Sequence, residues 1–308
     1  MLSKYLLTPL LLCGVMAQTT VFADQSIYQK SASKPAPQRL VSASNPLTQI
    51  VSALGQDQLF VGLDKTSHTK PEYDKIPDVG YRIQLSTEGI LSLKPDLILL
   101  ADDSGPEATI EQLTNSNVEI IQFEELKDAA SISKAVSIIA EKLHLTKEGE
   151  KLNTQISEEA IALKELSYSR PALKGFFVLQ GGNGHGSPQI SGSDTTAAKV
   201  LELLNIENLF EKDYANYRAV TIENQMQKRP EIVLLGNTGK FNLKDGSLKE
   251  EALPPFALRP EGLEGWPKAL QPKCVFDVNM SNYLVFGIHI YADNLKLQEA
   301  INQCLAEQ

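Results

Sequence analysis

Apolar residues in this chain follow two patterns, short unbroken runs and stripes at helical spacing. Leu97-Ile98-Leu99-Leu100 and Ile232-Val233-Leu234-Leu235 are continuous runs without alternation, as expected of parallel strands covered on both faces. Arg39-Leu40-Val41-Ser42 and Phe176 to Leu179 read as further strands. Ile50, Val51 and Leu54 share one face of a helix predicted from Pro46 to Leu54, with Gly55 placed to end it. Leu152, Ile156, Ala160, Leu163 and Leu166 mark a second, much longer helix from Lys147 to Tyr168. Thr146 is its expected N-cap and Arg170-Pro171 its stop. At about 1.5 Å per residue it would run roughly 33 Å, enough to cross the back of two lobes.

The pattern also repeats. Ser86-Thr87-Glu88 precedes a short helical run, then Lys94-Pro95-Asp96, then the first apolar strand. Thr221-Ile222-Glu223 precedes a similar run, then Arg229-Pro230-Glu231, then the second, with every landmark at one constant offset. Upstream of each copy lies a matching helix end, Ala53-Leu54-Gly55 in one and Leu203-Leu204-Asn205 in the other. Two echoes in the same order predict an α/β fold of two layered α/β lobes, 39–146 and 169–308. One long helix, 147–168, joins them, and the cleft between such lobes is a common place for a small ligand.

With 308 residues, two lobes are also what chain length leads one to expect. Hydrophobic residues at 42% and charged residues at 22% are globular values. The net charge of −9, without any basic patch, argues against nucleic acid or an anionic membrane surface as partner. Three cysteines exclude a disulfide-built scaffold and any Cys-rich zinc module. Lys4, the apolar stretch Leu6 to Met16 and Val21-Phe22-Ala23 before Asp24 read as a cleavable export signal over 1–23. A lipoprotein signal ending at Cys13 is disfavoured by Leu12, where a small residue is expected. Residues 24–38, rich in Ser, Ala, Gln, Lys and Pro, read as a flexible leader. Cys274 and Cys304 then share an oxidising compartment, and the sequence leaves open whether they pair.

Several of these stretches resemble a known group. Arg39-Leu40-Val41-Ser42, Ile76-Pro77-Asp78-Val79-Gly80-Tyr81 and the run Leu85-Ser86-Thr87-Glu88-Gly89-Ile90-Leu91-Ser92-Leu93-Lys94-Pro95-Asp96 are similar to the helical-backbone class of ABC-importer substrate-binding proteins. That class serves haem, cobalamin and ferric siderophores, and the Val-Gly-Tyr followed by Leu-Ser-x-Glu-Gly is nearest to its periplasmic hemin-binding branch. The likeness continues through Thr195-Thr196-Ala197-Ala198 and Phe286-Gly287. It implies a periplasmic, monomeric carrier without intrinsic cofactor or enzymatic activity. Its cargo would be haem, or alternatively a ferric siderophore or cobalamin, delivered to a two-fold ABC permease with a cytoplasmic ATPase. Three departures fall at the expected ligand site. Thr69 stands where the branch has its haem-ligating tyrosine, Ile83 where it has an arginine (Arg82 lies one place early), and Val285-Phe286-Gly287-Ile288-His289 replaces a Gly-Phe-Gly-Pro-Arg ending.

Haem iron accepts an axial imidazole or phenolate. His68 and Tyr73, flanking Thr69 in the polar segment Lys65 to Lys75, are therefore candidate iron ligands, or else loop residues facing solvent. Tyr81 can stack on a flat ligand or be a buried tyrosine with a satisfied hydroxyl, and Arg82 beside it is a further ligand-binding candidate. His185, in Gly181-Gly182-Asn183-Gly184-His185-Gly186, is a third candidate iron ligand on a loop that is not a dinucleotide fingerprint. His289 reads as a strand residue facing either the cleft or water, and His144 as a solvated helix-face residue. Glu88 and Glu223 suit the positive ends of their helices. The resemblance gives them the further role of docking to permease arginines. A secreted hydrolase is the remote alternative: Ser187 lies near His185, but there is no Gly-x-Ser-x-Gly elbow and no acid partner.

Overall fold

Leu40, Val41 and the run Leu97 to Leu100 are all at or near zero exposure, buried from both sides. They are central strands of the first of two large sheets in a computed structural model that describes residues 35–179, 188–237, 240–242, 248–250 and 255–307. Ahead of the long helix the order is β1 (Leu40–Ser42), α1 (Asn45–Ala53), β2 (Phe60–Leu63), β3 (Gly80–Tyr81), β4 (Gln84–Leu85), α2 (Thr87–Ser92), β5 (Leu97–Leu100), α3 (Glu107–Thr114), β6 (Glu119–Gln122) and α4 (Ala129–Lys142). The sheet runs β2-β1-β5-β6, all parallel. Leu40, Leu97 and Leu99 face α1 and α4, while Val41, Ile98 and Leu100 face Ile90 and Leu113 of α2 and α3. Period-2 geometry thus puts alternate residues of one apolar run into two cores.

The long helix α5 (Thr146–Ser167) has the predicted length, but Thr146 is its first residue. Leu145 precedes it as N-cap without a side-chain bond. Gly149 leaves room for α4, because a Cβ there would overlap that of Ala140. After α5 come β7 (Leu173–Leu179), β8 (Gln189–Ser191), α6 (Thr196–Leu203), β9 (Ile206–Asn208), β10 (Tyr217–Ala219), α7 (Ile222–Gln227), β11 (Ile232–Asn237), β12 (Lys240–Asn242), β13 (Leu248–Glu250), β14 (Phe256–Leu258), β15 (Cys274–Asn279), α8 (Met280–Tyr283) and α9 (Ile290–Ala306). The second sheet runs β10-β8-β7-β11-β15-β14, with β9 on β7. Its centre, β7-β11-β15, is parallel and its outer strands β8, β10 and β14 are antiparallel.

The sequence echo is an echo in register. Leu40 pairs with Leu97 in the first sheet, and Gly175 pairs with Ile232 at the equivalent step of the second. One core cluster nevertheless passes through both lobes, from Leu40 and Leu97 by way of Ile139, Ile156 and Leu163 to Leu234, Phe276 and Ile301. The lobes are thus joined by shared apolar packing as well as by α5. Cys274 and Cys304 are disulfide-bonded, with Cα atoms 6.3 Å apart, which ties β15 to α9. Among the described residues no helix is long and apolar enough to cross a membrane.

Candidate functional site

Open parallel sheets place ligands beyond the carboxyl ends of their strands. All four strands of the first sheet end here at one cavity of about 300 Å³. Ser44, Asn45 and Leu47 follow β1, Thr66 follows β2, Ala101 to Asp103 follow β5, and Phe123 to Leu126 follow β6. The opposite wall is Thr196 and Lys199 of α6 with Leu284, Val285 and Phe286. Leu47, Phe123, Leu126, Leu284 and Phe286 belong to the large core or pack on it, so the cavity floor is the open end of that core.

The loop after β2 is fixed by a buried carboxylate. Asp64 has no exposed surface. Its Oδ2 accepts from the Thr66 amide at 3.0 Å and the Thr66 hydroxyl at 2.6 Å, and its Oδ1 accepts from Ser67 Oγ. Thr48 Oγ1 lies within hydrogen-bonding distance of Ser42 Oγ (2.8 Å) and Ser67 Oγ (2.9 Å), tying the loop to β1 and α1. Buried polar networks of this kind hold a single loop geometry when their members are satisfied.

Charges line the rim. Arg82 forks onto Asp103, Nε at 2.8 Å from Oδ1 and the terminal nitrogen at 2.6 Å from Oδ2. The Asp103 carboxylate raises the guanidinium pKa further above its ordinary value, against the opposing effect of burial. The Arg82 guanidinium also lies over the Tyr81 ring, 5.4 Å from its centre. Across the cavity, Lys199 Nζ meets Glu125 at 2.5 Å, and Glu124 pairs with Lys134 at 3.6 Å.

The sequence-predicted residues separate in space. Arg82 lines the cavity. Tyr81 is exposed on the short hairpin beside it. His68 is half-buried two residues beyond Thr66, and its Nε2 is shut off from solvent without a hydrogen-bond partner among the described residues. Tyr73 needs correction as a ligand. It is 2% exposed in a turn of 3₁₀-helix, its ring edge-on to Phe60 and its hydroxyl bonded to Asp57. Burial, and then Asp57, raise its pKa, so it stays a neutral core phenol. His289 also needs correction: it is an exposed N-cap of α9 and not a strand residue. His185 and the glycine loop around it, like the proposed signal and Cys13, lie outside the described residues.

Glu88 and Glu223 are both exposed at the second positions of α2 and α7. Ser86 Oγ accepts from the Gly89 amide and Thr221 Oγ1 from the Asn224 amide, so the caps occupy matching places. The backbone amide of Glu223 itself, and then the Thr221 hydroxyl, hold the Glu223 carboxyl below its usual range. Sequence reasoning missed Asp102, Asp103, Glu124, Glu125 and Lys199. The signal for Asp102 and Asp103 was present, since they closely follow the apolar run that became β5.

Comparison with known proteins places this geometry. The family model described as periplasmic binding protein matches residues 40–252. A vitamin B12-binding protein of Pectobacterium carotovorum is 24% identical over 203 residues, covering 66% of this chain and 72% of its own length. A periplasmic haem-binding protein of Pseudomonas aeruginosa is 27% identical with a TM-score of 0.55, covering 65% of this chain and 72% of that one. The periplasmic haem-binding protein of Vibrio cholerae, at 21% identity, superposes with a TM-score of 0.66 over 86% of this chain and 98% of its own.

Proposed function

The chain belongs to the periplasmic binding protein family, and from that footing we propose that it captures haem in the cleft between its lobes and delivers it to an ABC permease. As a substrate-binding protein of a transporter it is not an enzyme and carries no cofactor of its own; the bound molecule is cargo. The hydrolase alternative falls with that assignment. The observation that carries the haem reading is the cavity's composition. An apolar floor contributed by both lobes lies beneath a rim that includes Arg82 and Lys199. A flat apolar ring with anionic side chains matches that arrangement, since apolar area drives burial while cations on the rim orient charged tails. His68 adds an imidazole nitrogen without a hydrogen-bond partner among the described residues, two loop positions from the wall residue Thr66, of the kind haem iron accepts.

A corrinoid is the second reading. The described residues lining the cavity include no imidazole or phenol, and a corrinoid needs neither, because its cobalt carries its own axial ligands. The B12-binding relatives point the same way for themselves. A hemin titration separates the two. A saturable Soret change at near-unit stoichiometry, altered in band position by His68→Ala, supports haem. Saturable binding of cyanocobalamin with no response to hemin would replace haem by the corrinoid. Glu88 and Glu223, one on each lobe, are proposed to register the carrier on the permease through opposite charges.

A further inference from the structure

Of the ion pairs between described residues, Lys199–Glu125 is the one that joins an element before α5 to an element after it. Both partners line the cavity, and they are 34% and 55% exposed. A half-exposed pair held by a single ammonium is a weak tie. The Arg82–Asp103 fork on the same cavity rim has two parallel contacts and a ring beneath it, and is a much firmer one. Thr196 and Lys199, three residues apart on α6, share a helix face and both reach the cavity. The lysine ammonium therefore stands at the edge of the apolar floor, occupied by a carboxylate that can turn out to solvent.

From this geometry we infer that Lys199 and Glu125 form an exchangeable clasp: Lys199 releases Glu125 and takes a carboxylate of the cargo in its place. The inference rests on the haem reading and deepens it, because it makes the cargo's pendant carboxylates the feature that is read. The walls carry the carboxylates of Asp102, Asp103, Glu124 and Glu125 against the cations Arg82 and Lys199. An anionic cargo is repelled by that balance until Glu125 swings away and exposes the ammonium. A cargo without carboxylates gains nothing by opening the pair. The clasp thus selects an apolar body with acidic tails over an equally apolar ester or an amide-fringed ring.

The test titrates wild type, Lys199→Met, Lys199→Arg and Glu125→Gln with hemin and with hemin dimethyl ester, reading the Soret band. Wild type should prefer hemin, and Lys199→Met should weaken hemin binding about tenfold, the size of one charge-assisted hydrogen bond, without changing the ester. Lys199→Arg should keep the preference, and Glu125→Gln should tighten hemin binding by removing its competitor. If wild type binds hemin but Lys199→Met weakens hemin and ester alike, or neither, the clasp is wrong and the haem reading survives. If wild type takes up no hemin, both fall together.

Discussion

In the N-terminal lobe, Lys94 turns the chain in the left-handed region at φ 48°, and Asp96 then receives the backbone amides of Gln38 and Arg39 at 2.8 and 3.1 Å. In the C-terminal lobe, Arg229 makes the same turn at φ 49°, but Glu231 receives one amide, that of Lys174 at 3.0 Å, and the ammonium of Lys273 at 2.9 Å. The backbone device is common to both: capped helix, left-handed residue, proline, acid, buried strand. The difference lies in the adjacent strand: Lys273, directly ahead of β15, stands beside Glu231, whereas Val118, directly ahead of β6, stands beside Asp96. The strands opposite differ more. Leu40 fills the core in the first lobe, whereas at Gly175 a Cβ would come 2.5 Å from the Ile232 carbonyl oxygen and 3.0 Å from Ile206 Cγ2. The extra strand β9 beside β7 occupies that space. A repeated backbone therefore does not require a repeated core, and the C-terminal lobe has gained strands and a disulfide around the shared centre.

Removing the disulfide tests that difference most strongly. Its half-cystines are 30 residues apart, so a Cys274→Ala, Cys304→Ala double variant should lose about 3–4 kcal/mol of stability by loop-closure reasoning. Denaturant midpoints should show the loss, and a reductant should reproduce it in wild type and do nothing further to the variant. Gly175→Ala comes next, at about 1–3 kcal/mol for forcing a methyl against backbone. An unchanged midpoint would mean that β9 yields easily and that the lobes are more alike than their cores indicate.

Glu231→Gln should cost about 0.5–1 kcal/mol near neutral pH, as expected of a partly exposed ion pair. The Lys273 ammonium is the main cause that holds the Glu231 carboxyl below its usual range. That stabilisation is fully present above the unfolded value of about 4.3 and is lost as pH falls through the lower folded value. The gap between wild type and variant should therefore close in acid, and a gap constant down to pH 3 would remove the ion pair from the account. The smallest effect per site belongs to the lobe tips. Glu88→Ala and Glu223→Ala should each weaken docking only slightly, as expected of single exposed charges, and together impair uptake while ligand affinity holds. Arginine at both sites should be worse than alanine. Uptake that survives the double replacement would leave these acids as helix-start residues only.

The strands, the two end helices of the echo and α5 were legible because continuous apolar runs and a sustained 3.6-residue stripe have few competing explanations. Tyr73 was not, since Lys65 to Lys75 is polar by composition and only the 3₁₀ turn folds its one aromatic ring back onto Phe60. His289 misled for a different reason. A short apolar stretch such as Val285 to Ile290 reads equally as strand or as the approach to a helix, and α9 begins at Ile290. The Lys199–Glu125 pair escaped notice because its meeting depends on the lobes being brought face to face. Lys199 and Glu125 are far apart in the chain, and neither carries a local motif. The same holds for the cystine, whose spacing is set by α9 returning to β15.

The long helix has one more consequence, for traffic and not for structure. α5 packs along α4 through Gly149 and buries Ile156 and Leu163 in a core that belongs to both lobes, so it lacks the loop residues that large hinge motions use. Loaded and empty carriers are then expected to differ little in outline, and scattering curves with and without cargo should nearly superimpose. A permease that recognises only the lobe tips would greet them almost equally, and empty carrier would compete with loaded carrier for the same seat. Import would rise with carrier abundance only while most carriers are full, and would fall when carriers outnumber cargo.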